Sequence, residues 1–490
     1  MIWDALLRGL AATFSGPVLG AITLGVSLGI IFGAIPGLTA TLGIALLLPF
    51  IYGLAPTTAF AIMLSVVSAV HTSNTFPAFF FNVPGSPSAS ATILDGYPMA
   101  KKGEAAEGLT AAFLVSAVGG IIGALILCLF LPLLQPLVLM FASPERFMLV
   151  LLGLVMISFL SGERPTRGLL SAALGLWLGT IGMDPQLGIP RYTLGQDYLL
   201  EGLSLIPLVM GLFALPEVVA LAVRGQIAEK AAMDVSAGFL TGAKATCRHW
   251  LLVVQSSVIG VIVGAIPGLG GTAAAFYAYG IAVRGAKDNE RERFGKGEIR
   301  GVIAPESANN ASAGGELIPT LAFGVPGGAT SAMLLAAFLV LGITPGPPML
   351  NEHLWISFAM VFTLVVSNLL ATAICICITR PAAKIAWIRG SLIIPVIMLF
   401  VLFGAYAAYS DPGTLVFTLL FGLLGYLMMR AEWPRVPLLL GFILGPLSEN
   451  FLFISMKSYG LGFLLRPITL VILLMILGII FYGFVRRLKA

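Results

Sequence analysis

Apolar runs long enough to cross the roughly 30 Å hydrocarbon layer of a bilayer fall near residues 15–33, 108–131, 146–161, 168–183, 203–223, 249–266, 356–378, 391–409, 413–429, 437–455 and 467–485. Each predicts a membrane helix. Two stretches between them break the pattern with proline, glycine and hydroxyl residues. Residues 34–96 contain GAIPGLTAT, HTSNTFPAFFFNVPGSPSAS and DGYPM, and residues 264–355 contain GAIPGLGGT, APESANNASAGGELIPTLAFGVPGG and GITPGPP. Each predicts a helix that enters, breaks and resumes. The first enters over 55–72, breaks near Ser73-Asn74-Thr75 and resumes after Pro84-Gly85-Ser86. The second enters over 299–313, breaks near Gly314-Gly315 and resumes after Pro326-Gly327-Gly328.

These two stretches are copies of one another. Gly33-Ala34-Ile35-Pro36-Gly37-Leu38 recurs as Gly264-Ala265-Ile266-Pro267-Gly268-Leu269, an offset of 231. Phe81-Asn82-Val83-Pro84-Gly85 recurs as Phe323-Gly324-Val325-Pro326-Gly327 at an offset of 242, with the basic segment 284–300 able to absorb the difference. IPLVMGLFALPE (206–217) parallels VPLLLGFILGPL (436–447) at an offset of 230. Ordered matches of this kind indicate an internal duplication.

Lysine and arginine set the orientation, because short cytoplasmic loops are enriched in them. Placing 97–107, 162–167, 224–248, 284–300, 379–390, 430–435 and 486–490 inside leaves only Arg8, Arg146, Arg191, Lys457 and Arg466 outside, so 22 of 27 basic residues share one face. The segment after the first Pro-Gly tip ends in Lys101 and Lys102, hence inside; its counterpart GITPGPPMLNEHLW has neither Lys nor Arg and falls outside. The halves are therefore expected to be inverted, with seven crossings each and one more at the C-terminal end, fifteen in all. The expected fold is an all-α polytopic membrane protein, an inverted-topology repeat with two discontinuous (broken or re-entrant) helices. Its parts are a first repeat at 1–224, a cytoplasmic linker at 225–247, a second repeat at 248–456 and an extra C-terminal transmembrane helix at 457–490. The C-terminus is then cytoplasmic and the N-terminus periplasmic.

Composition agrees: 58% of residues are apolar and only 10% charged, against roughly 25% charged in a soluble domain. The net charge of +5 reports orientation, so no nucleic-acid partner is needed. MIWDALLRGL has no basic head or small-residue cleavage site, so the first span is expected to be retained. Cys128, Cys247, Cys375 and Cys377 give neither a disulfide framework nor a C-x-x-C metal spacing. His71, His249 and His353 are scattered, and there is no G-x-S-x-G, H-E-x-x-H or Walker A pattern. No enzyme chemistry, metal or cofactor is expected.

The candidate chemistry sits at the breaks. Irregular backbone at membrane depth is tolerated where protein or a water-filled cavity satisfies it, so the tips predict a cavity. Resumed helices present free N–H groups and positive dipole ends, which suit a carboxylate. Gly85, Gly327 and Gly328 let a ligand approach the backbone. Ser86, Ser88, Thr330 and Ser331 offer hydroxyls, and Ser73 and Asn74 are further candidate substrate contacts. Carbonyls freed at Gly33, Gly37, Gly264 and Gly268, with Thr39, suit a hard cation such as Na⁺. Asn309 and Asn310, adjacent amides in a hydrocarbon layer, need partners and are candidates for substrate or ion binding. Glu306, Glu316 and His71 are ionisable groups inside spans, which are costly there and usually face a cavity; the two glutamates are candidate ion-coupling groups. Glu217 and Asp95 are read near a membrane face. The series Gly16, Gly20, Gly25, Gly29, Gly33 and Gly37 reads as a packing seam.

At GAIPGLTATLGIALLLPF (33–50), NVPGSPSASATILDGYPMAKKGEA (82–105), GAIPGLGG (264–271), APESANNASAGGELIPTLAFGVPGG (304–328) and PGPP (345–348) the chain resembles the large membrane subunit of the tripartite tricarboxylate transporters, the TctA family. The resemblance implies secondary uptake of carboxylates across a bacterial-type inner membrane, driven by a Na⁺ or H⁺ gradient. It also implies two partners, a periplasmic solute-binding protein and a small membrane subunit. His71-Thr72-Ser73-Asn74-Thr75-Phe76-Pro77 departs from the tyrosine–glycine–glycine–serine run of many relatives and leaves the solute open. Alternating access is expected, the broken helices moving past a scaffold; a passive pore for small organic anions is the alternative.

Overall fold

In the computed structural model, which describes residues 2–160, 164–224, 238–385 and 390–488, all eleven apolar runs fall on helices. The first half contains α1 (Ile2–Thr13), α2 (Gly16–Ala34), α3 (Ala40–Leu47), α4 (Pro56–Ser73), α5 (Thr75–Phe81), α6 (Ser90–Lys101), α7 (Ala105–Leu139), α8 (Ser143–Leu160), α9 (Pro165–Gly179), α10 (Leu205–Val209) and α11 (Leu215–Arg224), the last two joined by a π-helical turn at Met210–Ala214. The rest contains α12 (Phe239–Arg248), α13 (Trp250–Gly264), α14 (Gly270–Gly285), α15 (Asp288–Arg291), α16 (Arg300–Phe323), α17 (Ala329–Val340), α18 (Pro347–Leu350), α19 (Leu354–Ile385), α20 (Gly390–Tyr409), α21 (Gly413–Arg430), α22 (Arg435–Tyr459) and α23 (Pro467–Leu488). One two-residue strand pair, Gly182–Met183 with Pro190–Arg191, closes the loop after α9. The chain is an all-α polytopic membrane protein.

Among the described residues, seven helices are long and apolar enough to span a bilayer, or eight counting α12–α13, which bend by 74°. The fifteen crossings counted on the sequence exceed this; four further apolar helices have 10–17 residues, Ala40–Phe50 and Ala329–Val340 among them beside the breaks.

The second break lies later than the sequence suggested, while the first shows the expected helix boundary at Asn74 and a further turn at Asn82. Gly314 and Gly315 do not interrupt α16; a Cβ on Gly314 would strike the Gly123 backbone, and one on Gly315 the Val261 carbonyl, so they serve close packing. The helix stops at Gly324, whose φ of 68° is left-handed. In the first half only Asn74 separates α4 from α5, and the chain turns at Asn82 with φ 53°. Asparagine is among the few side chains that enter this region readily, so it stands where the other copy has glycine. The same wide turn follows in both copies, with Val83 N–H reaching Pro77 O at 3.5 Å and Val325 N–H reaching Pro319 O at 3.3 Å. The first tip resumes as a short 3₁₀ turn at Pro87–Ala89 before α6, and the second directly as α17.

The duplication extends to packing. A Cβ on Gly29 would strike Val66 O, and one on Gly260 would strike Ala308 O; Gly33 meets Val70 O as Gly264 meets Ser312 O. The offset is 231 on one helix of each pair and 242 on its partner, and the segment containing α15 carries the difference. Contacts also cross between the halves reciprocally. α7 lies along α16 as α19 lies along α4, α12 lies on α7 as α1 lies on α19, and α9 packs on α22 as α21 packs on the π turn beside α10. Helix α12 falls in the stretch read as a linker; residues 225–237 of that stretch lie outside the described residues. α23 packs on α8, with Arg466 Nε donating to Glu145 Oε1 at 2.7 Å.

The glycines of α7 make the cross-half contact with α16. A Cβ on Gly119 would strike Ser307 O, and one on Gly123 would strike Ala311 O, whereas Gly20 has open space around it. Overpacking a filled interior costs about 1–3 kcal/mol, and rigid backbone gives least. Gly119→Leu is therefore expected to lower the thermal unfolding temperature and the monodisperse yield in detergent, and Gly20→Leu to leave both unchanged.

Candidate functional site

The two tips and the two GAIPG turns meet at one cavity of about 690 Å³. Thr39, Ala40 and Thr41 open α3; Gly270, Gly271 and Thr272 open α14; Pro87 and Ser88 lead into α6; Ala329 and Thr330 open α17, and all line the same wall. Three α-helix starts and the 3₁₀ turn before α6 thus border one space. The first N–H groups of a helix have no partner within it, and each helix start carries the equivalent of roughly half a positive charge. Two starts come from each half, so the site exists only when the halves are assembled.

Tight turns bring these starts together. Gly37 and Gly268 hold left-handed backbone, φ 92° and 91°, at matching points of the GAIPG turns. Gly268 N–H donates to Gly327 O at 2.8 Å, tying turn to tip. A Cβ on Gly85 would lie 2.7 Å from Gly33 O, and one on Gly327 would strike Gly264 O. Gly85 and Gly327 therefore let the tips seat against the turns, and the Gly33 and Gly264 carbonyls face these tips. Thr39 caps α3 by accepting from Leu42 N–H at 3.2 Å.

Behind the first tip, Asn74 donates to Ser86 Oγ at 2.6 Å and to Ser88 Oγ at 3.3 Å, and the two hydroxyls are 2.9 Å apart. Asn74 is fully buried and its Oδ1 has no partner. At the matching position of the second half, 242 residues on, stands Glu316. Its carboxylate lies beside Gly328, where a Cβ would come within 2.7 Å of Oε1, and it faces the backbone N–H of Gly271 and the N–H and hydroxyl of Ser331. Ser331 Oγ also accepts from Gly328 N–H at 2.8 Å. Glu316 lines the cavity, whereas Asn74, at the corresponding place, is buried behind Ser86 and Ser88, which do.

Other candidates lie elsewhere. Ser73 Oγ donates to Ala69 O at 2.7 Å and to Gly29 O at 3.3 Å, which spends its hydroxyl on helix packing. Glu306 is fully buried away from the cavity, accepting from Thr92 at 2.6 Å and Ser116 at 3.4 Å. Asn309 donates to His71 O at 3.2 Å, and Asn310 to Thr72 Oγ1 at 3.0 Å and Asn368 Oδ1 at 2.8 Å. Those bonds join α16 to α4 across the halves and to α19 within the second half. The Asn309 and Asn310 Oδ1 atoms and His71 Nδ1 are buried without partners, and His71 reaches the cavity wall.

Asp95, read near a membrane face, is completely buried: it accepts from Gly297 and Glu298 N–H at 2.9 and 2.8 Å and from Tyr279 OH at 3.0 Å. This carboxylate of the first half anchors the approach to α16. Glu217, also read at a face, lines the cavity and accepts from Arg435 at 3.0 Å. Sequence reasoning missed Arg435, counting it as loop charge. It opens α22 immediately before the 436–447 repeat, also donates to Leu212 O at 3.1 Å in the π turn, and lies 5.4 Å from the Phe213 ring. Thr41 and Thr272 were missed too, although their spacing of 231 marks them as a matched pair.

The profile of the tripartite tricarboxylate transporter TctA family matches residues 19–440. A similar protein of Agrobacterium vitis, an uncharacterized 52.8 kDa protein in the TAR-I ttuC' 3'region, is 32% identical over 458 residues, covering 91% of this chain and 89% of that one. A second from the same organism, an uncharacterized protein in the TAR-II ttuC' 3'region, is 35% identical over 193 residues, 39% of this chain and 79% of its own length. No solved structure matches. With the match running from α2 into α22 and enclosing both tips, the chain belongs to the tripartite tricarboxylate transporter TctA family.

Proposed function

We propose that this chain is the large permease subunit of a binding-protein-dependent tripartite system that imports tricarboxylates or related carboxylates by secondary active transport. The observation that carries the reading is the convergence on one cavity of the starts of α3, α14 and α17 and the 3₁₀ turn before α6, two from each half. A polycarboxylate brings separated negative groups, and separated N-terminal N–H clusters match that distribution. The 690 Å³ space is within the range of small-molecule sites.

In this reading the protein sits in a bacterial-type inner membrane with its C-terminus in the cytoplasm. A periplasmic binding protein delivers the solute, a small membrane subunit accompanies the permease, and Na⁺ or H⁺ drives accumulation. The inverted halves exchange access by moving α4–α6 and α16–α17, with their tips, past the scaffold. The loop before α22, with Glu432 and Arg435 on the cavity wall, belongs to the basic, cytoplasmic side. The cavity then opens inward, the state that releases solute into the cell.

Proteoliposomes containing the permease and small subunit, supplied with binding protein and citrate, are expected to accumulate citrate above its external concentration and lose it when the ion gradient is dissipated. Equilibration without accumulation would point to a pore. In a chain whose four cysteines are replaced by serine, Ser88→Cys and Thr330→Cys are expected to react with a membrane-impermeant maleimide applied from the cytoplasmic side. Ser73→Cys, turned into α2, is expected to stay unlabelled.

A further inference from the structure

Behind the two tips, the matched positions of the halves differ by one charge. Asn74 and Glu316 occupy corresponding positions behind the first and second tips. Asn74 is neutral and donates to the Ser86 and Ser88 hydroxyls. Glu316 brings a carboxylate to the starts of α14 and α17, where it faces the N–H of Gly271 and the N–H and hydroxyl of Ser331. The Ser331 hydroxyl itself donates to Gly328 O at 3.0 Å, while the Gly271 and Ser331 N–H groups are hydrogen-bond donors. That is a setting for an anion; a metal cation needs oxygen acceptors around it. A permease for carboxylates thus already carries one carboxylate in half of its own cradle.

We propose that Glu316 is a resident carboxylate that holds the α14–α17 half of the cradle while the cavity is empty, and that a solute carboxylate takes this place only as Glu316 accepts one proton from water. The inference rests on the carboxylate reading above. Two carboxylates sharing one site do not both stay ionised, and among the described residues the cavity wall offers no Lys or Arg outside an ion pair to offset the second. On the cavity wall, Arg435 is committed to Glu217, Glu432 adds another negative group, and His71 sits on α4. Among the helices packed against α16, the described parts of α13, α17 and α18 carry no charged side chain. The charged or phenolic groups of the others lie elsewhere. Glu107 is on α7 and Arg380 on α19, with Tyr97 and Lys101 on α6 and Tyr277 and Arg284 on α14. Asp95 and Tyr279 bond at the start of α16, near Arg300, and Glu306 is held by Thr92 and Ser116. A proton is the neutralising charge available. The first half needs none, because Asn74 is neutral at every pH. Solute entry is thereby tied to uptake of one proton at a named atom group, which makes H⁺ the coupling ion.

The test is calorimetric titration of the purified full-length chain with citrate in two buffers of different ionisation enthalpy, which counts protons taken up on binding. Citrate's own protons contribute equally to any variant, so the difference between chains is the readout. The wild type is expected to take up about one proton more than Glu316→Gln, and Glu316→Gln to bind citrate at least as tightly. One proton linked to binding corresponds to about a tenfold rise in affinity per pH unit of acidification, a slope the variant should lack. His71→Asn should keep the wild-type count. Binding by both chains with equal proton uptake overturns this inference and leaves the carboxylate reading standing. A wild type that binds citrate with no net proton uptake does the same even where the variant fails to fold. Absence of binding by folded wild type and folded variant alike, both for citrate and for the carboxylate its binding protein carries, overturns the carboxylate reading and this inference with it.

Discussion

Everything in this fold answers to one constraint: within hydrocarbon, a backbone N–H or C=O that leaves its helix must find a partner in protein or in enclosed water. Two helices nevertheless break inside the protein, at Asn82 and at Gly324. The structure meets the constraint twice by the same means. A wide turn returns a valine N–H to a proline carbonyl, and a glycine brings the tip against the GAIPG turn of the neighbouring helix. What those devices leave unsatisfied is the set of first-turn N–H groups, and these are gathered around one cavity.

Gathering them requires helices to approach more closely than ordinary side chains permit. At the contacts of α2 with α4, α13 with α16 and α7 with α16, glycine faces a carbonyl oxygen of the opposing backbone. Such small-residue interfaces replace the hydrophobic drive that is lost when the solvent is itself apolar. Polar side chains are placed where they bridge the halves. Asn310 joins Thr72 to Asn368, and Asp95 grips the backbone before α16.

Much of this is legible in the sequence because lipid imposes a coarse code. Continuous apolar runs mark the helices, and the GAIPG and V-P-G repeats mark the breaks and their pairing. The exact break points were not legible. Gly314-Gly315 looks like an interruption, yet glycine also marks close approach, and only the position of the Gly123 and Val261 backbones separates the two meanings. Ser73 and Ser88 are both hydroxyl residues near a tip. One turns to α2 and the other to the cavity, a difference set by helical phase across a turn that hydropathy does not record. Arg435 was hidden by the very rule that gave the topology, since a basic residue at a loop end is accounted for by orientation alone. Its role emerges from the π turn, whose Leu212 carbonyl it meets.

The reciprocal packing also sets a timetable for biogenesis. Helix α4 lies against α19, and α7 against α16, so the first broken helix is made long before the segment that covers it. At about 5–20 residues per second, the roughly three hundred residues between α4 and α19 take on the order of tens of seconds to synthesise. Until α16 and then α19 are made, the buried face of α4, with Ser68, His71 and Thr72, lacks these neighbours. The nascent first half must therefore be held by the insertion machinery or by lipid until its second copy arrives, which makes the duplication a burden on assembly as well as the source of the site.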